Sequence, residues 1–208
     1  MSELLTADRL VVSQKAKLIE LVNQYSVQDG EGAELGFIQQ EGQSKKRKVL
    51  RFVTNVDQFL TLRLSLYDSN NTKLLEITRP AKLLKSKLRV EDGAGRLVGG
   101  IIQKNVFGKI HFDLVGSQDQ ILGQIKAENW RAWDFSIVDS TGKEVGRIDK
   151  KFVGVLKAAF TPADNYIVDI DSSLSGDLRL LAIAAATAVD TALKQDSRVP
   201  SVTDLIVD

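Results

Sequence analysis

A chain of 208 residues, 43% hydrophobic and 26% charged, has the make-up of a soluble globular protein with a real core. Its 28 basic and 27 acidic residues leave a net charge of +1, so no global field draws it to nucleic acid or to an anionic membrane, and any such partner must be met by a local patch. With no cysteine, disulfides, thiolate metal sites and a cysteine nucleophile are excluded. The first residues, MSELLTADRL, include Glu3 and Asp8 and lack an apolar signal-peptide core, so an intracellular setting is expected. Length and pattern together suggest one domain over 1–195 and a flexible tail over 196–208.

Residues 9–22 mix apolar pairs with basic residues and read as one or two strands. From Tyr25 a unit recurs five times, ending on Ile38, Ile77, Ile101, Ile125 and Ile148. Nine residues before each isoleucine stand Asp29, Asp68, Asp92, Gly116 and Asp139, and six before stand Gly32, Asn71, Gly95, Asp119 and Gly142. Such residues bond their own backbone or take positive φ, which marks a turn. Alternating apolar stretches flank each turn, for example Leu64 and Leu66 or Phe112 and Leu114 before it. Each copy therefore reads as a β-hairpin with a loop of three to five residues. Two residues before four of the isoleucines stands Gly36, Gly99, Gly123 or Gly146, and Leu75 takes that place in the second copy. A glycine fixed within a strand implies a bend, a bulge or the close approach of another backbone.

The first two copies lie farther apart than the rest, leaving room for an extra strand pair in 42–64. This insertion carries Lys45, Lys46, Arg47 and Lys48 in a row, which suits a solvated hairpin tip, a patch for phosphate groups or a localisation signal. A second basic group follows at Arg79, Lys82, Lys85, Lys87 and Arg89, where strand alternation puts Lys85, Lys87 and Arg89 on one side. Trp130 and Trp133, beside Lys126 and Arg131, suit either an interfacial anchor or packing between hairpins. Two more strands are expected around 152–160 and 165–170.

Residues 178–193, LRLLAIAAATAVDTAL, place apolar groups on every side of a helix, as a buried helix requires. Spanning a bilayer takes about 20 apolar residues, and this run is shorter and carries Arg179 and Asp190. Ser173 or Ser175 could cap its start. About 12 strands enclose more space than their own side chains fill, so the expected fold is mainly β: a closed antiparallel barrel around this helix as its plug. On that reading Arg179 and Asp190 sit near the barrel mouths, and deleting 175–208 leaves an open-cored barrel that aggregates.

These features resemble the Tubby C-terminal-like superfamily, and the segment 163–190 is similar to the end of phospholipid scramblases and LURP-one-related proteins. The resemblance implies a non-enzymatic protein, cytoplasmic or peripheral at the inner face of a membrane, that meets an anionic phospholipid surface through Lys45, Lys46, Arg47, Lys48, Lys82, Lys85, Lys87 and Arg89. The alternatives are an intracellular protein-interaction or regulatory scaffold and a true phospholipid scramblase. Animal scramblases also carry a Pro-rich amino-terminal segment and a lipidated cysteine cluster, neither of which is present in these 208 residues. Their calcium segment is rich in Asp before the helix, where this chain has Ser173 and Ser175, with Asp164, Asp169, Asp171 and Asp177 as remaining oxygen donors. No calcium site tighter than roughly millimolar is expected from that set. No cofactor or nucleic-acid partner is implied, and the sole histidine, His111, reads as a structural strand residue.

Overall fold

A computed structural model describes residues 2–14, 24–41, 61–80, 87–104, 111–129, 134–150 and 165–196. A short helix, α1 (Glu3–Thr6), precedes β1 (Arg9–Gln14). The five hairpins follow as β2 (Gln24–Gln28) with β3 (Glu34–Gln40), β4 (Leu62–Asp68) with β5 (Lys73–Arg79), β6 (Lys87–Asp92) with β7 (Leu97–Gln103), β8 (His111–Gly116) with β9 (Ile121–Asn129), and β10 (Asp134–Asp139) with β11 (Glu144–Lys150). Last come β12 (Asn165–Ile170) and α2 (Gly176–Asp196). Each strand pairs antiparallel with its neighbours in sequence, and β1 pairs with β12, so the 12 described strands close into a barrel. Closure removes the edges that an open meander would expose.

The strand count matches the expectation, and the described strands show where the last two come from. β1 and β12 complete the ring, while the expected strand around 152–160 and the strand pair in the insertion fall outside the described residues. Of 9–22, the part described forms β1.

One turn design serves all five hairpins. The amide of the ninth-before residue donates to the carbonyl four residues on, as Asp139 does to Lys143, and the amide of the sixth-before residue donates back, as Gly142 does to Asp139. Gly32, Asn71, Gly95, Asp119 and Gly142 all have positive φ, from 61° to 92°. This is a three-residue loop with a type I turn and a bulge after it. In four hairpins the Asp carboxylate accepts two further amides: Asp29 from Glu31 and Ala33, Asp68 from Asn70 and Thr72, Asp92 from Ala94 and Arg96, Asp139 from Thr141 and Lys143. Gly116 has no carboxylate to offer, and Gln120 supplies the acceptor instead, taking the amide of Gln118 at 3.1 Å.

The strand glycines serve both a bulge and a close approach. Register shifts fall next to Gly36, Gly99, Gly123 and Gly146. A Cβ at any of them would strike a backbone carbonyl of the next strand, those of Tyr67, Val115, Val138 and Asp169 respectively. In the second copy Leu75 takes this place, and a close approach is found instead at Gly93 of the next hairpin, whose Cβ would strike the carbonyl of Lys73.

Inside the ring, α2 is buried on all faces: Leu181 through Thr187 form an unbroken buried run, and Val189 continues it. Phe112, Phe135, Tyr166 and the isoleucines at 101, 125, 137 and 148 pack around it from the wall. The alanines keep the cylinder thin enough for the barrel to close on it. The helix extends beyond the expected 178–193 at both ends, starting after Gly176 turns with a φ of 65°. Ser173 does not cap it, because its hydroxyl and amide both bond the Asp171 carboxylate.

Candidate functional site

A meander of this kind sends its connections to alternate ends, and here the two ends differ in kind. At one end lie the five tight turns, α1 and the β12–α2 turn. At the other, strand ends are linked by the longer connections 15–23, 42–60, 81–86, 105–110, 130–133 and 151–164, and α2 runs from the first end toward the second.

Charge follows the same division. The segments 2–8, 29–33, 68–72, 92–96, 116–120, 139–143 and 171–177 at the turn end hold 10 Asp or Glu against 2 Lys or Arg. The six longer connections hold 13 Lys or Arg against 3 Asp or Glu. A net charge near zero therefore conceals two sets of segments of opposite sign, the acidic turns and the basic connections, whose attachment points lie at opposite ends of the barrel. Lys45, Lys46, Arg47, Lys48, Lys82, Lys85, Trp130, Trp133 and Asp164 all belong to the longer connections and lie outside the described residues, but the strands they join bring their attachment points to one end. Sequence spacing alone did not reveal that common placement; strand parity does.

Lys87 and Arg89 are described, and both are exposed on β6, alternating with buried Leu88 and Val90. Arg89 pairs with Glu91 at 2.8 Å. His111 opens β8 half-buried, 3.7 Å from the Asp113 carboxylate, which also pairs with Lys104 at 3.0 Å and accepts from Gln124 at 3.2 Å. On this network His111 is a structural residue of the outer wall.

The acids considered for calcium face cations. Asp169 is bound in a fork by Arg9, Asp171 lies 3.5 Å from Lys143, and Asp177 accepts from Arg96 at 3.0 Å. The Ser173 hydroxyl, with its amide and Lys143, holds the Asp171 carboxyl below the usual range. Among the described residues no group of three carboxylate or imidazole ligands converges.

Arg179 lies at the turn end, buried, and is the polar centre that sequence reading placed at a mouth without naming its partners. Its guanidinium donates to the carbonyls of Leu5 and Ala7 at 2.7 Å and to those of Leu174 and Asp171 at 3.2 and 3.3 Å. It thereby ties α1 and the β12–α2 turn to the helix, and α1 in turn drives fully buried Leu4 into the core. Among the described residues the gap between α2 and the wall of β1 to β5, lined by Leu10, Val27, Leu66 and Ile183 among others, amounts to about 10 Å³. That is space for about one water.

The described residues form a closed antiparallel barrel holding a carboxyl-terminal helix, and that architecture has counterparts among known proteins. The scramblase family profile matches residues 1–193, so this chain belongs to the scramblase family. It is 23% identical over 187 residues to a phospholipid scramblase family protein of Schizosaccharomyces pombe, covering 82% of this chain and 48% of that protein. The chain thus spans about half the length of that curated relative. A solved structure of an Arabidopsis thaliana protein matches with a TM-score of 0.51 at 11% identity, over 89% of this chain and 93% of that one. That likeness concerns the fold.

Proposed function

We propose that this scramblase-family chain is a non-catalytic, peripheral phospholipid-binding module that meets the anionic inner face of a membrane through the basic end of its barrel. The observation that carries this reading is the opposition of these two sets of segments. Thirteen cations on the longer connections, Lys45 to Lys48, Lys82 and Lys85 among them, attract an anionic surface, while the acidic turns at the far end are repelled by it. Lys and Arg near such a surface contribute about 1 kcal/mol each, within about a Debye length. Trp130 and Trp133, attached at the same end, suit the headgroup region.

Among the described residues no helix is long and apolar enough to cross a membrane, and the buried state of Leu181 to Val189 employs the hydrophobic helix as core. This supports binding at the surface over entry of α2 into the bilayer. Liposome co-sedimentation tests the reading. The chain should pellet with equimolar phosphatidylcholine and phosphatidylserine vesicles, release as salt rises, and stay in the supernatant with phosphatidylcholine alone. No pelleting with anionic vesicles at low salt would refute it in favour of a protein-interaction scaffold.

A further inference from the structure

Most described cations on this barrel are matched to a carboxylate. Arg9 pairs with Asp169, Lys73 with Glu76, Arg96 with Asp92 and Asp177, Lys143 with Asp171, and Arg147 with Asp134 and Glu144. Arg63, Lys87 and Lys126 have no ion-pair partner among the described residues, and these three do not scatter. All three point outward, since their neighbours Leu64, Leu88 and Ile125 are buried in the core.

Register places them in one zone. Arg63 is the second residue of β4 and lies opposite Thr78, which lies opposite Arg89. Lys87 is the first residue of β6 and faces Ile102. Lys126 faces His111, the first residue of β8. Each is thus within a residue or two of the basic end, along an arc of five strand spacings or about 24 Å at ~4.8 Å per strand. Lys104 and Arg89, paired yet half-exposed, lie inside the arc. At the same height the next two strands, β10 and β11, carry Asp134 and Asp149, so the excess positive charge ends at β9 on that side.

We propose that this outer face of β4 to β9, built on Arg63, Lys87 and Lys126, is a docking surface for anionic phospholipid headgroups, so that the barrel meets the membrane with its basic end tilted onto this side. The inference rests on the membrane reading above and adds a side to it. A cation left without a counter-ion keeps its full attraction for an external anion, whereas a matched pair largely cancels at a distance. Charge complementarity selects the partner, and the rigid strands present the charges without an ordering cost.

The test uses the full chain with Arg63→Gln, Lys87→Gln and Lys126→Gln combined, beside a second variant with Lys45 to Lys48 all changed to Gln. At about fivefold per charge, the wall variant should bind equimolar phosphatidylcholine and phosphatidylserine vesicles roughly a hundredfold more weakly, with its melting temperature and circular dichroism kept. Wild-type affinity in the wall variant, alongside weakened binding in the loop variant, overturns this inference and leaves the membrane reading standing. Failure of the wild-type chain to bind removes both. Retention of single-stranded RNA that depends on the three residues, with vesicle binding indifferent to them, also overturns it. Because the chain has no cysteine, Thr78→Cys and Ser140→Cys each provide a unique site for an environment-sensitive dye. The dye at 78 should shift to the blue on anionic vesicles and that at 140 should not; the reverse pattern overturns the proposal independently of affinity.

Discussion

The two ends of the barrel are built from the same strands under opposite rules. At the turn end the chain is fixed by specific bonds: in four hairpins an Asp carboxylate collects amides, in all five a residue of positive φ reverses the chain, and Arg179 gathers four carbonyls. At the other end the strands are joined by connections of 4 to 19 residues whose chief common property is positive charge. The difference teaches where substitution is tolerated. The acidic end and the plug hold the fold, and the basic end is free to be adapted to a partner.

The comparison breaks first at the plug. Ala185 is fully buried at the centre of α2, so Ala185→Asp buries an unpaired charge and should leave no cooperative melting transition, with the protein aggregating in size-exclusion chromatography. Four Lys45–Lys48 to Gln changes should move the melting temperature by no more than a degree or two. A folded Ala185→Asp protein would mean that the helix is not held by the barrel.

Arg179→Met is the next largest effect. It keeps the apolar stem but abandons the carbonyls of Leu5 and Ala7, and charged hydrogen bonds contribute about 1.5–3 kcal/mol each. A loss of about 3 kcal/mol, or roughly 10 °C in melting temperature for a chain of this size, is expected by calorimetry. Proteolysis should then begin near α1. An unchanged melt would show that α1 is dispensable to closure.

Gly99→Ala sharpens the contrast within the wall. Its Cβ would meet the Val115 carbonyl, whereas Ala at Gly142, in open space, meets only its positive φ of 88°. The first should cost about 1–3 kcal/mol and the second about 1 kcal/mol in denaturant titrations. Equal costs would mean that the strand glycines are there for the bulge alone.

The smallest effect is acid weakening of the turn end. The Thr141 hydroxyl and neighbouring amides hold the Asp139 carboxyl below the usual range, and the Ser173 hydroxyl does the same for Asp171. A carboxyl whose folded pKa is depressed stabilises fully above the ordinary carboxylate range and loses that contribution as pH falls through the lower folded value. Protection of the turn amides, relative to their intrinsic exchange at each pH, should therefore fall below the ordinary carboxylate range before protection in the strands does. Turn amides that stay protected under acid would contradict this.

The five hairpins were legible because their instructions are local: each turn writes an Asp, a residue of positive φ and an apolar alternation into about 14 adjacent residues. The plug was legible for the same reason, since alanine and leucine on all faces have no other use in water. β1 and its partner β12 were harder to assign, because their pairing is a property of the closed ring. Arg179 stood out as a charge in an apolar helix, but its partners are carbonyls of residues 5, 7, 171 and 174, and a carbonyl has no signature in sequence. The basic clusters were visible as runs; their common end was not, because it follows from strand parity. Arg63 passed unremarked and Lys126 was noted only as a neighbour of Trp130 and Trp133, since what distinguishes both is the lack of a nearby acid in three dimensions.

Pairing of the first strand with the last has a consequence in time. Arg9 meets Asp169 across 160 residues of chain, and the helix that fills the ring follows β12. During synthesis the hairpins can form one by one, but the ring has no second edge to close against, and its apolar face no occupant, until α2 has left the ribosome. A growing chain of this design is an open sheet with two free edges until β12 and α2 emerge, the state in which sheets pair with strangers. Stalling translation before residue 176 and measuring association between nascent chains would expose that interval, which ends when the last strand and the plug arrive together.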